Sequence, residues 1–259
     1  MISKKLKPIY TDRKNLIRIG PNRDGGYIID KRIIKNINYV ITCGLNDDWN
    51  FEKHFLKYKK DINILAFDHT VNHKFWVKKF VKDIFHLIIF KKTSLWKIKK
   101  IFNFIDYYLF FSGNKKHLKL KITKKISKNK STTLDKILKN KRGVLLKIDI
   151  EGDEYFVLKD IKKNVNKISC LIIEFHNLNN NIKKILSFIK KVKKLKIIHV
   201  HGNNVANLDK FSYPVGLEMT LINKKKIKLS RAKNNRVYPI KGLDFPNVKR
   251  NRDVQLKFK

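Results

Sequence analysis

The stretch LLKIDIEGDEYFVLKDI, residues 145–161, decides how this chain is read. An apolar run beginning at Val144 ends in four carboxylates, Asp149, Glu151, Asp153 and Glu154, and a helical pattern follows. A near-continuous apolar strand of this kind is buried on both faces, as in a parallel sheet. Ligands of open parallel sheets bind beyond the carboxyl ends of the strands, which is where this acidic cluster falls. Alternation along the strand predicts that Asp149 and Glu151 share one face, with Ile148 and Ile150 on the other. Asp153 and Glu154 are expected in the first helical turn, where carboxylates favour the macrodipole. Gly152 lets the chain turn sharply between the two.

The same rhythm extends in both directions. Toward the N-terminus, residues 39–43 (YVITC) read as a strand, Gly44 as a turn, and Phe51, Phe55 and Tyr58 as a helical stripe. INILAFDHT (62–70) is a second strand ending at Asp68. Residues 72 to about 111 read as helical, with Trp76, Phe80, Ile84 and Ile88 on one face, followed by the aromatic and lysine-rich piece SLWKIKKIFNFIDYYLFF (94–111). KHLKLKIT (117–123 with Lys116) alternates like a strand, and TTLDKILKN (132–140) reads as a short helix capped by Thr132 or Thr133. Toward the C-terminus come the strand ISCLIIEFH, a helix, the strand KIIHVHGNN and the strand LEMTLINK. The last two strands have no helix between them, so one is expected to enter antiparallel at the sheet edge. Ahead of all this, Asp24-Gly25-Gly26 between apolar runs signals a hairpin.

The pattern predicts an α/β fold in one domain over 1–259. A hairpin extension (1–36) precedes a core with a mostly parallel sheet covered by helices on both faces (37–223), and a tail (224–259) packs on that core. No run of about 18 apolar residues exists, so no transmembrane segment is expected. The N-terminus has no apolar signal region, and Cys43 and Cys170 do not make a disulfide framework; the cytoplasm is the expected setting.

The formal net charge is +40, yet only nine of the 61 basic residues are Arg, and the lysines are spread along the whole chain. Nucleic-acid readers favour the Arg fork, so no specific nucleic acid is expected, whereas nonspecific attraction to anionic surfaces follows from the charge itself. The segment 94–111 is read either as a core-covering helix with a lysine face or as a membrane-surface or partner-binding helix.

Chemistry concentrates at the predicted strand ends. Cys43, Gly44 and Leu45 close the first strand, and a glycine there lets a bound molecule approach the backbone. Asp68 closes the second strand and can accept both hydroxyls of a ribose. The loop reads CGLNDDW (43–49), with Asp47 and Asp48 where a pyrophosphate would lie, so a cationic, phosphate-free nucleoside such as S-adenosyl-L-methionine fits better than a dinucleotide. Asp149, Glu151, Glu174, His176 and His201 are the candidate catalytic residues, the last four as bases. His199 shares a predicted face with His201 and reads equally as a core histidine. A divalent metal held by Asp149, Glu151, Glu174 and His176 is an alternative, against the simpler expectation that these groups serve cofactor and base without metal.

The segment 145–161 also resembles the Lys-[Ile/Val]-Asp-[Ile/Val]-Glu-Gly-x-Glu motif of the FkbM family of S-adenosylmethionine-dependent methyltransferases. IRIGPNRDGGYII, ITCGLNDDWNFEKHF, FDHT, STTLDKIL, LIIEFH, HVHGNN and LDFPN follow the order of a methyltransferase-like branch of that family, spanning roughly 16–258. No motif matches between about 72 and 130. The resemblance implies a Rossmann-like class I methyltransferase fold with a seven-stranded sheet, and O-methyl transfer to a hydroxylated small molecule, sugar or glycan precursor. It implies that Gly44 and its loop face the methionine part of the cofactor, Asp68 the ribose, and Asp149 the amino-acid moiety or reacting centre. The remaining alternative is a polyanion- or membrane-binding protein on a degenerate fold of the same type, which the intact strand-end carboxylates oppose.

Overall fold

A computed structural model describes residues 1–90, 103–126 and 130–259, with the side chains of 86–90 outside the description. Its centre is a seven-stranded sheet in the order β10-β11-β9-β8-β3-β4-β5. Here β3 is Tyr39–Cys43, β4 Asn63–Phe67, β5 Lys115–Leu118, β8 Val144–Ile148, β9 Ile168–His176, β10 Leu195–Gly202 and β11 Gly216–Asn223. The pairs β3–β4, β3–β8, β4–β5 and β8–β9 are parallel. Every residue of β8 and β11 is buried, as the continuous apolar runs require.

The helices are α1 (Asn50–Leu56), α2 (His73–Phe90), α3 (Asn103–Phe110), α4 (Leu134–Leu138), α5 (Glu154–Lys163) and α6 (Leu178–Lys191). The chain moves outward from β3 through β4 to β5, then returns to β8 beside β3 and moves the other way. The strand order therefore reverses direction between β3 and β8, and at such a switch point the carboxyl ends of the strands are where open parallel sheets bind ligands. Thr133 caps α4, its hydroxyl accepting from the Lys136 N–H at 3.2 Å. This is the α/β architecture with a mostly parallel sheet that the strand and helix rhythm predicts, and its seven strands are the number the family resemblance implies.

One detail of the sheet is corrected. The antiparallel strand is not at the edge: β11 runs antiparallel to both β9 and β10 and lies between them. β10 arrives first in sequence but takes the outer place, leaving the gap that β11 fills with hydrogen bonds on both sides. The 72–111 segment is corrected as well. Trp76 is buried, but Phe80 is 48% exposed, and Val77, Val81 and Phe85 are also exposed on α2. Trp76 instead packs inward with Trp49 and Tyr107. The side chain of Ile88 and residues 94–102 of the aromatic, lysine-rich piece lie outside the described residues. Among the described residues no helix is long and apolar enough to cross a membrane.

β1 (Leu16–Ile19) and β2 (Tyr27–Asp30) pair as an antiparallel hairpin. A small parallel pair, β6 (Lys121–Ile122) with β7 (Ser131–Thr132), flanks the sheet. The C-terminal segment crosses back to the start of the chain, where Phe258 bridges Ile2, and Asn234 donates to the Pro8 carbonyl. Both cysteines are buried and free.

Candidate active site

A cavity of about 830 Å³ lies at the carboxyl ends of β3, β4 and β8. It is lined by residues 44–51 after β3, 67–70 at the end of β4, 120–122, 149–151 after β8, and the hairpin turn 23–25. Gly44 has φ +88°, and a Cβ there would stand 1.7 Å from the Asp149 carbonyl oxygen. The glycine is therefore required by the close approach of the chain leaving β8, beyond any room it leaves for a ligand. Asp149 N–H donates to the Cys43 carbonyl at 2.9 Å, completing that junction. Cys43 itself is buried in the sheet and does not line the cavity; burial pushes its thiol up to about 12. Leu45 lines the cavity from a buried position.

Asp68 is committed within the chain. Its Oδ2 accepts the N–H groups of Leu45 (2.9 Å) and Asn46 (3.0 Å), and its Oδ1 accepts those of the Thr70 backbone (2.8 Å) and hydroxyl (2.6 Å). Burial raises its pKa, but these hydrogen bonds outweigh it and hold the carboxyl below its ordinary value. The two carboxylates expected to repel a pyrophosphate are paired: Asp47 with Lys79 at 2.8 Å and Asp48 with Arg23 at 2.9 Å. Their charge argument against phosphate is weaker than the sequence indicates.

The acidic cluster after β8 divides differently from the alternation pattern. β8 ends at Ile148, and Glu151 sits in a left-handed turn at φ 52°, its side chain 85% exposed. The turn, not the pleat, gathers Asp149, Glu151 and His176, whose ligating atoms lie within 4.8 Å of one another. Asp149 Oδ1 is buried and has no hydrogen-bond partner. Burial is the main reason its carboxyl is pushed up to about 6; the charges of Lys147 and His176 pull the other way. Glu154 is fully buried and is more than a helix-start carboxylate. It accepts the Gly152 N–H at 3.0 Å and faces His176 Nδ1 at 2.8 Å. His176 Nε2 is left 3.5 Å from Glu151 and 3.7 Å from Glu174. Burial lowers the imidazole pKa, but the Glu154 hydrogen bond and the surrounding carboxylates outweigh it and set it above the ordinary value.

His176 does not itself line the cavity but stands 3.5 Å from Glu151, which does; Glu174 and His201 are absent from the lining as well. Glu174 is buried beside Glu218 across the β9–β11 ladder and accepts from Asn203 Nδ2 at 2.9 Å. Burial, then the charges of Asp149 and Glu218, push it well above the usual carboxylate range. His201 is clamped on both ring nitrogens, Nδ1 3.2 Å from Glu218 and Nε2 2.9 Å from Asp253. Burial opposes its charge, but these carboxylates push it up to about 11, so at neutral pH it has no free lone pair to act as base. His199 pairs with Asp244 of the tail at 3.0 Å, the core-histidine outcome. The four-residue metal set thus splits, with Glu174 falling into a separate group with Asp24 and Glu218.

Several residues of this region escaped the sequence reading. Glu154 was hidden by its helix-start position. Lys147 carried a usable signal, a lysine inside an apolar strand two positions before Asp149; it is 7% exposed and lies 5.4 Å over the Tyr27 ring. Tyr27 and Asn247 fall inside the quoted stretches IRIGPNRDGGYII and LDFPN but had no role assigned, and Asp253 carried no signal, because their partners stand in distant segments of the chain.

A family model described as the methyltransferase FkbM domain matches residues 13–195. No curated protein matches the sequence. Among solved structures, a putative methyltransferase from Thermoplasma acidophilum is 11% identical, over 72% of this chain and 68% of that one, with a TM-score of 0.37. An S-adenosylmethionine-dependent methyltransferase from Clostridium acetobutylicum ATCC 824 is 8% identical over 74% and 88%, with a TM-score of 0.38. A predicted O-methyltransferase from Agrobacterium tumefaciens is 8% identical over 79% and 83%, with a TM-score of 0.36. The matched span takes in the Gly44 turn, Asp68 and the whole acidic segment after β8, and it covers more than two thirds of the sequence, so this chain belongs to the methyltransferase FkbM domain family.

Proposed function

We propose that the protein is an S-adenosylmethionine-dependent O-methyltransferase acting on a hydroxylated small molecule or glycan precursor. The observation that carries this reading is the cavity between the ends of β3, β4 and β8, walled by a half-buried Asp149 whose Oδ1 is buried without a partner. An unpaired buried carboxylate oxygen is costly unless a ligand completes it, and the cofactor's cationic amino-acid end is a suitable partner. The Gly44–Leu45 turn presents backbone to the methionine portion. Asp68 shapes that turn, with the Thr70 hydroxyl the one partner a ribose hydroxyl can replace without loosening the loop. Leu120 and Ile122 supply an apolar wall for the adenine.

When bound, the cofactor supplies a methyl group already activated on a sulfonium. The chain's residues then align an acceptor hydroxyl and remove its proton. Alignment lowers the barrier by roughly 7–11 kcal/mol in well-oriented cases. His176 takes the proton at Nε2, while Glu154 holds Nδ1 and stabilises the imidazolium that forms. Glu151, exposed at the rim, faces the acceptor side. Asp149 and His176 are used in these roles without a metal.

Calorimetric titration with S-adenosylmethionine and S-adenosylhomocysteine tests this reading. Saturable one-to-one binding of both is expected. A folded protein that binds neither overturns it. Transfer of labelled methyl from the cofactor to a panel of sugars and polyols then tests the acceptor class.

A further inference from the structure

Asp24, Glu174 and Glu218 form a second carboxylate group, each offering an oxygen within 4.8 Å of the others. They come from three places: the hairpin turn, β9 and β11. Glu174 and Glu218 are only 2% and 5% exposed and lie directly opposite each other in the ladder. Two more oxygens belong to the same neighbourhood and have no partner. The Tyr27 hydroxyl is one, on a side chain 3% exposed that feels the charges of Asp149, Glu174, Glu218 and Asp24. The other is Asn247 Oδ1, on a side chain 8% exposed whose amide nitrogen donates to Asp24 Oδ1 at 2.9 Å and Glu218 Oε1 at 2.7 Å.

Buried carboxylates drawn this close repel unless something positive lies between them. His201 answers one oxygen of Glu218, and His176 Nε2 stands 3.7 Å from the Glu174 oxygen that Asn203 already holds, which leaves Asp24 without a cationic partner among the described residues. Arg18, whose charge Glu218 feels, directs its N–H groups to the carbonyls of Pro21, Arg23 and Leu243. A proton shared by the carboxylates relieves the repulsion within one pair and leaves the third carboxylate and the unpartnered Tyr27 hydroxyl unanswered. A cation answers all three carboxylates and gives the hydroxyl a partner. The donor set is entirely oxygen, carboxylate with amide and phenol, which suits a hard divalent ion rather than a thiolate- or imidazole-seeking one.

We propose that Asp24, Glu174 and Glu218, with Asn247 Oδ1 and the Tyr27 hydroxyl beside them, bind a hard divalent cation of the calcium, magnesium or manganese class. The ion ties the hairpin turn and the C-terminal tail to the sheet next to the cavity, whose wall Asp24 forms. Glu218 and Asn247 lie beyond the matched span 13–195, so the site is not a property of that span alone. It does not rest on the methyltransferase reading.

The test uses the full chain, stripped with a chelator and dialysed into metal-free buffer. Calcium, magnesium and manganese are titrated separately by calorimetry, and thermal unfolding is followed in parallel. Terbium serves as a luminescent probe, sensitised by the Tyr27 phenol. One saturable ion per chain and a raised melting temperature are expected. Asp24→Asn, on the exposed turn, should weaken binding at least about tenfold, as should Glu218→Gln if it folds. Glu151→Gln should leave ion affinity unchanged, and Tyr27→Phe should remove most of the sensitised emission. No saturable binding of any of the three ions overturns the proposal, as does binding indifferent to Asp24→Asn. Binding weakened by Glu151→Gln as much as by Asp24→Asn places the ion at Asp149, Glu151 and His176 and overturns it too. Cofactor titration of the same samples reads the methyltransferase proposal separately.

Discussion

The end of β9 and the end of β10 each carry a histidine among carboxylates, and the two are built for different work. At His176 one nitrogen is held by a buried carboxylate, and the other lies 3.5 Å from the exposed Glu151, which lines the cavity. At His201 both nitrogens are held, one by the neighbouring strand and one by the tail. The residue type is the same and the surrounding charge is similar. What differs is whether a lone pair can be freed. A histidine bound at one nitrogen is oriented and still able to take a proton; one bound at both is a cationic strut.

The sharpest way to break this comparison is to remove each ring. His176→Ala should lower kcat by about 10²–10⁴ with cofactor affinity unchanged, measured by turnover and calorimetry. If His201→Ala abolishes turnover in a folded protein while His176→Ala does not, the assignment is reversed. His201→Ala should instead destabilise the fold by about 3–5 kcal/mol, since it strands Glu218 and Asp253. Chemical denaturation reads that loss, and a cost near zero would remove its role as a strut.

The pH dependence of stability sharpens the same point. His201 holds its proton to about 11 when folded, against roughly 6.5 unfolded. The folded state binds the extra proton, so its contribution is full below about 6.5 and is lost steadily as pH rises toward about 11. Denaturation midpoints should fall across that window, and His201→Asn should flatten the slope. Asp149 gives a smaller effect at the cavity. Its carboxyl is pushed up to about 6, so cofactor affinity should weaken as pH drops below that value, by about tenfold per unit at most. Asp149→Asn should bind more weakly throughout and lose the dependence. The smallest change is expected from Glu154→Gln. It keeps a hydrogen bond to His176 but removes the charge that raises the imidazole, so the acid limb of the rate profile should move to lower pH.

Much of the fold was legible because it is written in neighbouring residues. The runs YVITC, GVLLKIDI and ISCLIIEFH are too short for helices and too continuously apolar for a half-exposed sheet. Gly44 and Gly152 mark turns that the structure makes at positive φ. The position of β11 was not legible, because GLEMTLIN contains nothing that chooses between an edge and a place between two strands. The site was legible in part for the same reason. Gly44, Asp68 and Asp149 stand at strand ends in a fixed order, and the cavity opens there. Glu151 stands near Asp149 and His176 through a left-handed turn and not through the expected pleat.

Sequence alone determined which segments are strands and helices and which polar residues fall at their ends, because periodicity belongs to consecutive residues. Tertiary structure decided what each polar group does. Glu154 and Glu151 stand three positions apart in one acidic stretch, and packing buries the first against His176 and leaves the second in solvent. His176 and His201 are separated by the reach of Asp253, which lies 52 residues beyond His201. Burial and hydrogen-bond commitment depend on which distant segments arrive at a place, and no local pattern carries that information.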